Sequence, residues 1–268
     1  MEQFIMAQGI PVRICDNQKG ENAIVLLHGY LETLSVWDEF ADKLAEYGYR
    51  TICIDIPGHG LSGTNEEINS MGFIADVLNE CLNKLKISNC FVTGHSMGAY
   101  VALAFAKKYP EKIKALCLFH STPNPDSEEK KLNREREIEL IKEGKIESII
   151  RVSIPRMFAN DNVKQFAEKI QEIEENATVA EHEGIIACLR GMKEREDMNL
   201  FLKDFEKPLL FIFGKKDNYT PIDMVNELIE RFPNAQNIML ENSGHAGFIE
   251  EHKVSLDLFV QFAQKVFL

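Results

Sequence analysis

The sequence lacks the features that would place it in a membrane, in an oxidising compartment or around a metal. No apolar run approaches the length of about 18 residues that a membrane-spanning helix needs. The N-terminus carries an acid at position 2 and no apolar stretch long enough for a signal peptide. The six cysteines are scattered without CxxC spacing, so we expect free thiols in a reducing cytoplasm, with neither disulfides nor a metal site.

Positive charge is also scarce. Lysine and arginine number 30 against 42 acidic residues, which gives a formal net charge of -12. This balance favours solubility and argues against nucleic acid or an anionic membrane surface as a partner. The chain has 268 residues, of which 45% are hydrophobic, and this is enough for one large α/β domain that carries an insertion.

What the sequence does contain is a regular alternation of strand-like and helix-like segments. Eight short β-rich runs follow one another: FIMAQG, IPVRICD, AIVLLHG, YRTICIDIPG, CFVTG, IKALCLFHS, PLLFIFG and QNIML. The central runs are apolar throughout, as in strands buried on both faces of a parallel sheet. Helical patterns separate them, such as VWDEFADKLAEYG, which ends at Gly48. This alternation predicts an α/β fold with a mostly parallel, doubly wound sheet of about eight strands.

Residues 121–205 interrupt the alternation. The segment STPNPDSEEKK brings two prolines and a dense run of charge, and amphipathic stretches without a credible strand follow it. The run PLLFIFG then resumes the sheet. We therefore predict a core formed by residues 1–120 and 206–268 and a helical insertion over residues 121–205, whose charged faces we expect to be solvated.

One turn carries a chemical signal. The run CFVTGHSMGAYVALAF passes from a buried strand directly into a helix through GHSMG, with Ser96 at its centre. A G-x-S-x-G turn in this context is typical of a nucleophile elbow. Bulky side chains two positions before and after the serine would collide with neighbouring backbone, and Gly94 and Gly98 remove them. Ser96 is then predicted to be the nucleophile, held above the sheet at the helix N-terminus.

A serine nucleophile needs a base, and seven histidines are available. His245 lies after the last strand in the glycine-flanked loop ENSGHAGFIEE, so it is the best candidate. His120 ends a strand at the same edge of the sheet and stays as a weaker alternative or as a pocket residue. The remaining histidines are assigned to the elbow, to turns or to the surface: His95, His28, His59, His182 and His252.

The acid that orients the base should follow a strand between Ser96 and His245. Asp217 lies just beyond the buried run PLLFIFG, and Asp223 lies further on. The order Thr220, Pro221, Ile222, Asp223 is typical of a helix start, with Thr220 as N-cap and Asp223 facing back toward it. We therefore assign a structural role to Asp223 and the catalytic role to Asp217.

These residues and the motifs around them resemble the α/β-hydrolase superfamily over essentially the whole chain. The matching stretches are LLHGY, DIPGHGLS, GHSMGAY, FGKKD and SGH. The resemblance implies an α/β-hydrolase fold with a helical cap and a serine hydrolase that needs no cofactor. It also implies an oxyanion hole made by the backbone N–H groups of Tyr30 and Met97. Serine at position 96 separates the chain from haloalkane dehalogenases and epoxide hydrolases, which carry aspartate there.

Three functional interpretations follow. The first is a carboxylesterase-like enzyme acting on a small to medium acyl substrate, in an apolar pocket lined by His120, Met157, Phe158 and Met192. The second is a C–C bond hydrolase, or a lyase similar to the menaquinone-pathway synthase, that would bind a polyanionic substrate through Arg151, Arg156 and Arg190. The third is a ligand receptor on the same fold. The sequence predicts no oligomeric state.

Overall fold

A computed structural model describes all 268 residues of the chain. One sheet of eight strands forms its centre, in the order β1-β2-β4-β3-β5-β6-β7-β8. The strands are β1 (Glu2–Ala7), β2 (Ile10–Asp16), β3 (Ala23–Leu27), β4 (Arg50–Ile54), β5 (Cys90–His95), β6 (Ile113–Phe119), β7 (Leu209–Gly214) and β8 (Gln236–Leu240). Each of the eight β-rich runs of the sequence therefore forms one strand.

The sheet is mostly parallel, as predicted. Strands β3 to β8 all pair in parallel, whereas β1 and β2 form an antiparallel pair and β2 joins β4 antiparallel. Every residue of β3, β5 and β7 is buried, which is why these runs are apolar throughout. The carboxyl ends of six parallel strands consequently meet at one edge of the sheet, and the residues that follow them lie there.

Helices cover the sheet and extend beyond it. Those that follow the core strands are α1 (Asp38–Glu46), α2 (Met71–Lys84), α3 (Met97–Lys108), α9 (Ile222–Arg231), α10 (Gly247–Glu250) and α11 (His252–Phe267). Helix α1 contacts α11, and α2 contacts α3. No helix combines the length and the apolar character that crossing a membrane requires. All six cysteines are free, as predicted, and five of them are buried.

All regular structure between β6 and β7 is helical. It consists of α4 (Glu128–Lys142), α5 (Ile146–Ser153), α6 (Ala167–Ala177), α7 (His182–Lys193) and α8 (Asn199–Lys203), with one short 3-10 turn at Pro155–Met157. We call residues 121–205 the cap. A single cluster of 81 buried apolar residues includes Ile141 and Ile173 of the cap together with the strands of the sheet. The cap is therefore packed on the sheet through a shared core.

The start of α9 differs from the prediction. The helix begins at Ile222 with Pro221 as its N-cap, one residue later than expected, and no side chain caps it. Thr220 is buried, and its backbone N–H donates to Asp217 at 3.0 Å. The prediction that Thr220 is the N-cap is therefore wrong, because α9 begins one residue later and no side-chain cap bond forms at its start.

Candidate active site

Ser96 lies in a strained turn between β5 and α3. Its φ of 50° and ψ of -112° are unfavourable for a side chain of the L configuration. A Cβ at Gly94 would lie 2.3 Å from the backbone of Gly98 and Ala99, and one at Gly98 would lie 2.4 Å from the Leu27 carbonyl oxygen. The expected reason for the two glycines is confirmed, because only residues without a side chain fit on either side of Ser96.

Asp217 follows β7 and is surrounded by donors. Its Oδ1 accepts hydrogen bonds from the N–H groups of Tyr219 at 2.7 Å and Thr220 at 3.0 Å. Its Oδ2 lies 2.7 Å from Nδ1 of His245 and 3.5 Å from Nδ1 of His120. Burial alone would raise the pKa of the carboxyl, but the two histidines and their hydrogen bonds outweigh it and hold the pKa far below its usual range. Asp217 is therefore an anion at every pH of interest.

His245 lies in the loop after β8, within hydrogen-bonding distance of this anion. Because an ionised carboxylate can only accept, Nδ1 of His245 carries a proton, and Nε2 makes no hydrogen bond to the protein. Ser96 and His245 line the same cavity, although no hydrogen bond joins the Ser96 hydroxyl to the imidazole in this structure. In enzymes without substrate such bonds are often long and shorten only in the complex. The roles of Ser96, Asp217 and His245 stay predictions.

His120 occupies a place that the sequence did not reveal. Its φ of 50° turns the chain at the end of β6, and its Nε2 accepts the N–H of Gly247 at 3.0 Å. Nδ1 therefore carries the proton, and it is directed at Asp217. Burial lowers the pKa of His120 to about 4, so the ring is neutral at pH 7. With Nε2 engaged by the backbone, His120 supports the acid, and it also lines the cavity as the sequence suggested.

The two predicted oxyanion donors face no competing acceptor. Met97 is the first residue of α3, where a helix has no carbonyl to receive the N–H. The Tyr30 N–H, in the loop after β3, donates to no other group of the protein. The Tyr30 hydroxyl donates to Oε1 of Glu137 on α4 at 2.9 Å, so this loop is tied to the cap.

A cavity of about 310 Å³ is lined by four of the candidate residues from the core: Tyr30, Ser96, His120 and His245. Met157 and Met192 of the cap also line it. Phe158 does not; it is fully buried beside Phe166, with ring centroids 5.8 Å apart. The prediction for Phe158 is wrong: the residue follows the 3-10 turn at Pro155–Met157 in an extended conformation, and its side chain is buried away from the cavity.

The cavity is also more polar than expected. Only six of its 19 lining residues are hydrophobic, whereas the sequence suggested mainly apolar contacts. One wall is a stripe of polar side chains at helical spacing on α4, formed by Lys130, Asn133, Arg134 and Glu137. We call these four residues the roof. Burial raises the pKa of Glu137, although the Tyr30 hydroxyl and Arg134 act in the opposite direction.

The cationic groups of the cavity are not those that the sequence suggested. Arg151 is exposed, Arg156 stacks over the ring of Tyr219, and Arg190 donates to the Glu67 carbonyl. None of these three arginines lines the cavity. The cationic side chains that do line it are Arg134 and Lys130 of the roof. The carboxylate of Asp126 holds Arg134, and it also binds Arg195 at 2.6 Å.

A second pair of titratable groups lies beneath the cavity. Oε2 of Glu32 lies 2.8 Å from Nδ1 of His95, and both side chains are fully buried. The sequence assigned His95 to the elbow and did not single out Glu32. No motif marks this glutamate, because only the folded chain brings the loop after β3 beside the end of β5.

Comparisons with known proteins identify the family and the fold of the chain. The sequence profile of the family described as serine aminopeptidase, S33, matches residues 18–252. A 2-hydroxy-6-oxononadienedioate/2-hydroxy-6-oxononatrienedioate hydrolase of Burkholderia vietnamiensis is 29% identical over 250 residues, which cover 86% of this chain and 83% of the relative.

Solved structures show the same fold. A thermophilic esterase from Thermogutta terrifontis, determined with malate bound, superposes with a TM-score of 0.92 at 27% identity, and the match covers 99% of both chains. An enol-lactonase from Burkholderia xenovorans LB400 superposes with a TM-score of 0.89 at 19% identity, covering 98% of this chain and 100% of the other. The predicted α/β-hydrolase fold is confirmed.

Proposed function

We infer that this chain, which belongs to the serine aminopeptidase S33 family and is an α/β-fold hydrolase, cleaves a carboxylic ester or a related acyl bond through Ser96. The observation that carries the proposal is the 2.7 Å bond between His245 and Asp217 in the cavity that contains the strained Ser96. It leaves the lone pair of His245 Nε2 available to take a proton in that cavity.

The proposed reaction has two halves. Ser96 attacks the acyl carbon while His245 takes its proton, and the Asp217 carboxylate stabilises the imidazolium that forms. The N–H groups of Tyr30 and Met97 bind the oxyanion of the tetrahedral intermediate. His245 then gives its proton to the leaving group, and an acyl-enzyme remains on Ser96. Water activated by His245 attacks this acyl group and restores the serine.

A second candidate is hydrolysis of a C–C bond in a substrate that carries a carboxylate. The observation that favours it is the roof, where Arg134 and Lys130 line the cavity. Nε and Nη2 of Arg134 already donate to Asp126, so a substrate carboxylate would be bound by the remaining Nη1 donors of Arg134 and by the Lys130 ammonium. The Burkholderia vietnamiensis relative is named for a dioate substrate, and the Thermogutta terrifontis esterase holds the dicarboxylate malate. Both names agree with an anionic group in the substrate of this chain.

A turnover screen separates these candidates. Purified protein is given p-nitrophenyl esters of graded acyl length, the same esters with a terminal carboxylate, and 2-hydroxy-6-oxononadienedioate. We expect turnover of the esters and a loss of about 10⁶-fold in kcat with Ser96→Ala, as for other serine triads. Cleavage of the dioate alone would favour the second candidate. Binding of these compounds without any turnover, and without labelling of Ser96 by a fluorophosphonate, would contradict both and favour a receptor.

A further inference from the structure

We propose that Glu32 and His95 form a buried ion pair that positions the Tyr30 N–H and the base His245 relative to Ser96. The proposal rests on the proposed function, because it assigns Tyr30 and His245 their roles in that reaction. Glu32 and His95 act through other residues, so they are positioning residues.

The ring of His95 faces an acceptor on each side. Nδ1 lies 2.8 Å from the Glu32 carboxylate, and Nε2 lies 2.8 Å from the backbone carbonyl oxygen of His245. A carbonyl oxygen cannot donate, so Nε2 must carry a proton. The bond to Glu32 needs a second proton. Burial alone would raise the pKa of Glu32, but the neighbouring His95 outweighs it and lowers that pKa, so the glutamate is the ionised partner. His95 is therefore an imidazolium with two N–H donors.

The same carboxylate oxygen holds the loop that carries Tyr30. Oε2 of Glu32 accepts the N–H of Gly29 at 2.5 Å. Tyr30 follows directly, and Leu31 has a φ of 59°, a left-handed conformation that is unfavourable for leucine. A Cβ at Gly29 would lie 2.9 Å from both Glu32 Oε2 and His95 Nδ1. The backbone that presents the Tyr30 N–H is thus fixed against the ion pair.

The pair connects the three loops that the proposed reaction needs. Gly29 precedes the oxyanion donor of Tyr30, His95 precedes the nucleophile Ser96, and the His245 carbonyl belongs to the base. The other oxygen of Glu32, Oε1, is buried without a partner. A buried charged oxygen without a hydrogen bond destabilises the folded chain, so stability alone does not explain why a glutamate lies here.

The substitution Glu32→Gln separates positioning from packing, because it keeps the shape and removes the charge. Beside a neutral glutamine His95 keeps one ring proton, so it can donate either toward position 32 or to the His245 carbonyl, but not to both. One of the three loops is then released. The matched control is Asp16→Asn, since Asp16 is an equally buried carboxylate in an ion pair with Arg50, near the start of β4 and away from the carboxyl edge of the sheet.

The measurement is the second-order rate constant for labelling of Ser96 by a fluorophosphonate, with folding checked by thermal unfolding. We expect Glu32→Gln to lower the rate by about 100-fold or more, the scale of one lost oxyanion donor, and Asp16→Asn to leave it within about twofold. On an ester that the wild type turns over, kcat should fall similarly while KM changes little. Labelling by folded Glu32→Gln at the wild-type rate would overturn the inference.

A measurement on the wild type covers the case in which Glu32→Gln does not fold. With ¹⁵N-labelled histidine, NMR at pH 7 should show two ring N–H protons on His95, assigned by their loss in His95→Gln. A single ring proton would overturn the inference. Failure of the proposed function has a different result: wild-type Ser96 would not react with the fluorophosphonate, whatever the protonation of His95.

Discussion

The two sides of the cavity are built differently. The side nearest the sheet, which we call the floor, consists of Ser96, Asp217 and His245 on loops at the carboxyl ends of the strands. Floor positions are fixed by backbone groups: two N–H donors hold Asp217, and Gly94 and Gly98 leave no room for a side chain. The roof consists of four side chains on one face of α4. The groups proposed to react are thus positioned by the backbone, whereas the groups that would select a substrate are side chains on one helix face.

The largest loss of activity is expected for a substitution in the floor. Asp217→Asn should lower kcat by about 10⁴-fold, because an amide can hold His245 in the wrong tautomer. Steady-state kinetics on the best p-nitrophenyl ester checks this. Asp223→Asn is the matched control, since Asp223 lies only six residues further on, in the first turn of α9, and should keep activity. Equal loss in the two variants would show that the floor does not depend on Asp217 as the acid.

The next effect concerns two neighbouring residues of the cap. Phe158→Ala should lower the free energy of unfolding by about 3–5 kcal/mol, because it leaves a cavity in a fully buried site, with the preference for acyl length unchanged. Met157→Ala should shift that preference toward longer acyl groups, since Met157 lines the cavity. Thermal unfolding and the ester screen measure the two quantities. A change in the preferred acyl length in Phe158→Ala would contradict the conclusion that Met157 lines the cavity and Phe158 does not.

The lowered pKa of His120 makes the stability of the folded chain depend on pH. Its pKa falls from an unfolded value of about 6.5 to about 4 in the folded chain, so the unfolded state binds the proton first as the pH falls. The folded chain should therefore lose about 3 kcal/mol of stability through this group between pH 7 and pH 4. In His120→Asn, whose side chain tolerates the positive φ, that loss should be smaller. Denaturant unfolding of both proteins between pH 4 and pH 7 measures this loss. The same dependence of the free energy of unfolding on pH in the wild type and in His120→Asn would refute the prediction.

The smallest change in activity is expected for a substitution in the roof. Arg134→Met should lower kcat/KM by about 10- to 100-fold for an ester that carries a terminal carboxylate, and leave the neutral ester little changed, because one charge-assisted hydrogen bond is lost. Arg151→Met, in an exposed arginine of α5, is the control and should change neither substrate. Equal loss on both esters in Arg134→Met would mean that the roof supports the fold and does not select the substrate.

The sequence predicted the floor far better than the roof, for a physical reason. Strand runs, the glycines beside Ser96 and the residues after each strand depend on local geometry and on the common edge of a parallel sheet, so their places follow from the order of the chain. Which face of α4 meets the cavity depends on how the cap packs. A charged stripe that faces a polar cavity has the same spacing as one that faces solvent, so Arg134 could not be told from Arg151.

The same reason accounts for the other differences. Phe158 and Met157 are adjacent and apolar, and only a 3-10 turn separates their directions. Thr220 has the composition of an N-cap, but its N–H binds Asp217 and the helix begins one residue later. Glu32 has no recognisable neighbour in sequence, since its partner His95 lies 63 residues away. Features that depend on contacts between distant segments leave no periodic pattern to read.

The hydrogen bond between the Tyr30 hydroxyl and Glu137 has a mechanical consequence. Tyr30 carries the proposed oxyanion donor on its backbone and contacts the cap through its side chain, so the position of the cap is coupled to that donor. An outward swing of α4 must either break this bond, at a cost of about 1 kcal/mol, or pull the loop after β3 with it. In the proposed reaction, a substrate that displaces α4 would therefore also disturb the Tyr30 N–H until the bond to Glu137 forms again.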